Sequence, residues 1–113
     1  MVAINTTERV QRIFIPLPGP TPVSDVAVRL QNTTDRTAVT LTIQEWAVEG
    51  FLLRLVVGLP EEGFFPGEWE YTLAFIDEEG ARIITDGLVD ARPEDPEEPV
   101  QYEAETRFKQ YGE

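Results

Sequence analysis

Pro66-Gly67-Glu68-Trp69-Glu70-Tyr71-Thr72-Leu73-Ala74-Phe75-Ile76-Asp77-Glu78-Glu79-Gly80-Ala81-Arg82-Ile83-Ile84 decides the fold class of this chain. After the Pro66-Gly67 turn signal, Trp69, Tyr71, Leu73 and Phe75 alternate with Glu68, Glu70, Thr72 and Ala74. Successive side chains of a strand point to opposite faces, so the segment offers an aromatic face to a core and a polar face to water. Asp77-Glu78-Glu79-Gly80 then turns the chain, with Gly80 able to take a positive φ, and Ala81 to Thr85 returns as the second arm of a hairpin. Gly87-Leu88-Val89-Asp90-Ala91 continues that arm after a bend.

Working outward, strand signals recur at short spacing. Val10 to Ile15 is an apolar candidate, and Val26, Val28 and Leu30 alternate with Ala27, Arg29 and Gln31 up to the turn Asn32-Thr33-Thr34-Asp35. Val39, Leu41 and Ile43 alternate with Thr40, Thr42 and Gln44, a β-branched pattern suited to a half-buried strand. Phe51, Leu53, Leu55 and Val57 alternate with Leu52, Arg54 and Val56, which predicts a central strand covered on both sides. Trp46, Phe51, Trp69, Tyr71, Phe75 and Phe14 all fall in these segments and are expected in the core. No helical period is convincing. Six or seven short strands with turns between them predict an all-β fold, a single antiparallel β-sandwich.

Two proline clusters divide the chain. Pro16-Leu17-Pro18-Gly19-Pro20-Thr21-Pro22 favours an extended course. Arg92-Pro93-Glu94-Asp95-Pro96-Glu97-Glu98-Pro99 joins proline to like-charge repulsion, as in a stiff solvated linker. The expected division is an extended, proline-rich segment over residues 1–22, a sandwich core over 23–92, and an acidic linker with a C-terminal arm over 93–113. In that arm Tyr102, Ala104, Thr106 and Phe108 alternate with Glu103, Glu105, Arg107 and Lys109.

Composition excludes by chemistry. The chain has 113 residues, enough for one core but not for an elaborate active site beside it. Its net charge of −12 argues against a nucleic-acid partner and against an anionic membrane surface. It contains no run of 18 apolar residues and, at Met1 to Arg9, no signal-peptide pattern; synthesis in the cytosol is the expectation. Without histidine or cysteine there is no triad base, thiolate nucleophile or disulfide. Ser24, the only serine, reads as a turn residue, and Lys109 sits in a charged segment that would not activate it. The sequons Asn5-Thr6-Thr7 and Asn32-Thr33-Thr34 read as turns.

Glu45, Glu68 and Glu70 lie near tryptophans, but alternation sets Glu68 and Glu70 on the face opposite Trp69, so no catalytic carboxylate pair is expected. Asp77-Glu78-Glu79 and Glu94-Asp95-Pro96-Glu97-Glu98 are rich in the oxygen ligands calcium prefers but lack an EF-hand spacing. No cofactor is expected. Phe64-Phe65 lies in a turn, and two adjacent phenylalanines on an extended chain cannot both point inward. With Arg92, Tyr102, Phe108 and Tyr111 they form the candidate assembly interface.

The run Phe65-Pro66-Gly67-Glu68-Trp69-Glu70-Tyr71-Thr72-Leu73, the acidic turn ending in Gly80, and Asp86-Gly87-Leu88-Val89 resemble a pattern in small virion structural proteins of tailed bacteriophages. There a "pGeYeYtl" strand precedes a turn and a "sGll" strand of an immunoglobulin-like sandwich, and a closing segment with tyrosines follows. The resemblance covers roughly residues 40–113. It implies a non-enzymatic component of the virion, a capsid decoration or head-fibre-associated protein or a tail protein. It also implies homo-oligomeric contacts and contacts with other virion proteins through extended termini. The competing expectation is a carbohydrate- or protein-binding module of an adhesin or receptor-binding protein, with Phe64, Phe65 and Trp46 as its platform.

Overall fold

The computed structural model describes residues 1–93, and these are all β. The strands are β1 (Val2–Asn5), β2 (Val10–Pro16), β3 (Pro22–Asn32), β4 (Ala38–Thr40), β5 (Thr42–Glu49), β6 (Leu52–Gly58), β7 (Gly67–Asp77) and β8 (Arg82–Arg92). They form a five-stranded sheet in the order β1-β8-β7-β3-β4 and a three-stranded sheet in the order β2-β6-β5. Inward side chains of both sheets make one apolar core, a β-sandwich-like arrangement.

The β7–β8 hairpin sets the frame. Trp69, Leu73 and Phe75 are at most 1% exposed and Tyr71 is 6% exposed, while Glu68, Glu70 and Thr72 face solvent, as the alternation predicts. Gly80 takes φ 84° in the connecting turn. The Asp77 carboxylate accepts the Glu79 and Ala81 amides at 3.0 and 2.8 Å, so the turn is held by its own first residue. β8 then runs without a break through Gly87, which pairs with Tyr71. The Tyr71 ring occupies the space a side chain would need there: a Cβ on Gly87 would lie 2.6–2.7 Å from ring atoms.

Three expectations change. First, the core begins at residue 2 rather than at residue 23. β1 lies parallel to β8, and β2 pairs with β6, so Val2, Ile4, Ile13 and Ile15 are core residues. The β1–β8 pairing also makes the large sheet mixed rather than purely antiparallel.

Second, the single strand read through Val39, Leu41 and Ile43 is two strands in different sheets. Leu41 is the corner; its amide reaches the Val28 carbonyl at 3.1 Å and its side chain is buried. β4 therefore stops after three residues against β3, and the chain passes to the small sheet.

Third, three aromatics expected in the core are not fully in it. Phe51 occupies the β5–β6 turn and is 86% exposed, and Phe14 points outward between the buried Ile13 and Ile15. Trp46 faces inward but sits on the edge strand β5, where it is only partly buried. β6 is central, as expected, yet only its inward face is covered; Leu52 remains 41% exposed on the other.

Both sequons are turns. Asn5 Oδ1 accepts from the Thr7 amide and hydroxyl, and the buried Asn32 Oδ1 accepts from the Thr34 and Asp35 amides. The close fit at Gly87 gives a test: Gly87→Ala must displace Tyr71 and should cost about 1–3 kcal/mol in urea unfolding. A variant as stable as the parent would show that the ring does not fill that space.

Candidate functional site

The adjacent Phe64 and Phe65 are spent on their own strand. Their ring centroids lie 4.9 and 5.1 Å from that of Trp69, and the Trp69 Nε1–H donates to the Phe65 carbonyl at 2.9 Å. Tilted aromatic pairs of this kind add to area burial. Phe65 keeps 38% of its surface exposed, so this loop closes one end of the core and shows only a rim.

Arg92 ends β8. Its guanidinium bonds the Asp90 carboxylate at 2.8 Å, and its carbonyl accepts the Thr6 amide, tying the N-terminal strand to the last one. Tyr102, Phe108 and Tyr111 lie outside the described residues, as does the acidic run from Glu94 to Glu98.

The carboxylates are dispersed. Glu45 and Glu49 both pair with Arg54, at 3.8 and 2.7 Å, on the outer face of the small sheet. Glu68 and Glu70 stand on the solvent face of β7. Beside Pro20 and Thr21, Asp77, Glu78 and Glu79 border a concavity of about 380 Å³. Asp77 already uses an oxygen on its turn, and among the described residues no three potential metal ligands converge. Ser24 is exposed next to a β-bulge in β3, where Asp25 takes φ 56°.

Two surface features were not legible as sites in the sequence. On the outer face of the small sheet, Val10, Phe14 and Leu52 are 51%, 41% and 41% exposed, and Phe51 projects beyond them from the adjacent turn. On the outer face of the large sheet, Ala27 of β3 pairs with Ala74 of β7, which pairs with Ile84 of β8. Two alanines side by side leave a groove of about 280 Å³, edged by Arg29, Thr40, Thr72 and Arg82. Among the described residues Arg29 and Arg82 make no ion pair.

Comparison with known proteins finds no matching family model, no matching curated protein and no matching solved structure.

Charge on the large sheet's outer face is divided. Glu68, Glu70 and Asp90 gather toward the end where β8 leaves, with Arg92 paired to Asp90; Asp86 stands opposite Thr72 beside the alanine groove, which Arg29 and Arg82 border. Under that face, burial pushes the Tyr71 phenol above its ordinary value, and the Asp86 carboxylate adds to the effect. The folded state thus holds this proton more tightly than the unfolded one. The associated stability is complete below a pH of about 10, the phenol's unfolded value, and falls as pH rises past it. Alkaline titration should lower the melting temperature from about pH 10 upward, and Tyr71→Phe should reduce that decline. Identical pH profiles for the two proteins would contradict this assignment.

Proposed function

We propose that this chain is a non-enzymatic structural subunit of a phage particle, in a decoration, head-associated or tail position. It assembles with copies of itself and with other virion proteins through its C-terminal arm. The phage context rests only on the resemblance of the Phe65–Leu73 and Asp86–Val89 motifs noted in the sequence; the assembly role rests on how the chain distributes its apolar and reactive groups.

The observation that carries the reading is the placement of exposed apolar groups on an outer sheet face and its adjoining turn, with no reactive set gathered beside them among the described residues. Phe14, Leu52 and Phe51 form such a surface, open to the other virion proteins, while copies of the chain meet through the C-terminal arm. Exposed apolar patches of this kind mark interaction surfaces. The reactive side chains near them are held in ion pairs, Glu45 and Glu49 both with Arg54. Of the termini, Val2 to Asn5 are paired with β8 of the same chain, so the reading gives contacts with neighbours to the C-terminal segment.

The competing reading, a sugar- or peptide-binding module, requires Phe64, Phe65 and Trp46 on one exposed platform. Phe64 and Phe65 instead pack on Trp69, and Trp46 faces the core from β5. That reading therefore has less support.

Light scattering on the full-length protein and on a chain ending at Pro93, which retains all eight strands, tests the proposal. The full-length protein should form a discrete oligomer, and the shortened one should be monomeric. Monomers in both forms, or oligomers unchanged by the truncation, would overturn it.

A further inference from the structure

We propose that the alanine groove on the outer face of the large sheet is the receptor for the C-terminal arm of a second copy, engaged through Tyr102-Glu103-Ala104-Glu105. This rests on the self-assembly reading above and names the surface that reading leaves unspecified.

The groove matches the arm in shape and in charge. Its floor is Ala27 and Ala74, its wall is Ile84, which is 61% exposed, and its volume of about 280 Å³ accommodates an aromatic ring. Arg29 and Arg82 edge the same groove and lack carboxylate partners among the described residues. A guanidinium both stacks on aromatic faces and forms two parallel hydrogen bonds with a carboxylate. Tyr102 followed by Glu103 and Glu105 supplies one ring and two carboxylates within four residues. Residues 94–113 hold seven acids and two bases, a net charge of −5, so the arm as a whole is drawn toward the two arginines.

Why a second copy and not the chain's own arm follows from where β8 ends. Arg92 lies eight residues along β8 from Ile84, a distance of about 26 Å in a strand. The ten residues from Arg92 to Tyr102 span about 31 Å in a proline-rich extended form, so length alone permits a return. Charge opposes it. The returning linker would carry Glu94, Asp95, Glu97 and Glu98 back over Glu68, Glu70 and Asp86 on the same face, where Asp90 alone is paired, with Arg92. Like charges at such separations repel in water, and no cation of the linker offsets them. An arm from a neighbour can enter over Thr40 on the edge strand β4, meet Arg29 on the adjacent β3, and cross the alanines to Arg82 on β8.

The absence of cysteine makes disulfide trapping a clean test. Full-length Thr40→Cys and full-length Ala104→Cys proteins are mixed in equal amounts and oxidised mildly, alongside a double variant carrying both changes. The solution mass of the unmodified protein is measured at the same concentration. The proposal predicts an oligomeric parent and a mixed disulfide dimer formed at least about tenfold faster than either like-with-like dimer. It also predicts that Arg29→Glu with Arg82→Glu abolishes the trapping, and that Glu103→Arg with Glu105→Arg in the partner restores it.

A disulfide formed within single chains of the double variant would assign the groove to the chain's own arm and overturn the proposal. No preferential trapping from a protein that is still a discrete oligomer would overturn the groove while leaving self-assembly intact. No trapping from a monomeric protein would remove both.

Discussion

The inward row of β7 is the constraint on which the rest of the structure depends. β7 is the middle strand of the five-stranded sheet, and Trp69, Tyr71, Leu73 and Phe75 all point from it into the space between the sheets. Full burial of such side chains contributes roughly 1.5–3 kcal/mol each, comparable in sum to the net stability of a small domain. The other elements are arranged around that row. Trp69 holds the Phe64-Phe65 loop by ring contacts and an indole hydrogen bond. Tyr71 fills the space over Gly87, so β8 must place a residue without a side chain there. Ile13, Ile15, Leu53, Leu55 and Val57 of the small sheet complete the opposite wall.

A second constraint shapes the surface. The chain changes sheets at Leu41, so β4 covers only the Arg29–Gln31 part of β3. The uncovered remainder of β3 is blunted by a bulge at Ser24 to Ala27 and by Asp25, devices that discourage indiscriminate edge pairing. Next to the bulge, Ala27 and Ala74 form the dent in the outer face that Arg29 and Arg82 border. Specific association is thereby shifted from the open backbone edge to a side-chain groove with a defined charge. An overall charge of −12 disfavours random contacts between copies, and a local basic groove then selects an acidic partner segment.

How far the sequence reveals this architecture depends on the range of the signal. β7 was legible because its alternation is unbroken and its two faces differ so sharply in polarity. The acidic turn was legible because Asp77 and Gly80 meet its demands locally. β1 was not, since Val2 to Asn5 is four residues long and its partner in β8 is the far end of the described chain. The corner at Leu41 was hidden because the apolar period runs straight through it. The outward side of Phe14 is not legible because neighbouring Ile13 and Ile15 make the whole segment apolar, which conceals the phase of the strand. Of the candidate interface, Phe64 and Phe65 were rightly suspected of not both entering the core, but their contact with Trp69 depends on the loop's return path. The alanine groove is built from residues on four strands, and nothing in any one segment announces it.

The central claim, that copies of this chain associate at the basic groove of the large sheet, is tested most directly by NMR amide shifts. These would be recorded on the full-length protein across a range of concentrations. The account predicts concentration-dependent changes at Ala27, Arg29, Ala74, Arg82 and Ile84, with the surface around Phe14 and Leu52 unaffected. Changes confined to the Phe14 and Leu52 face, or no changes while the protein remains a monomer, would contradict it.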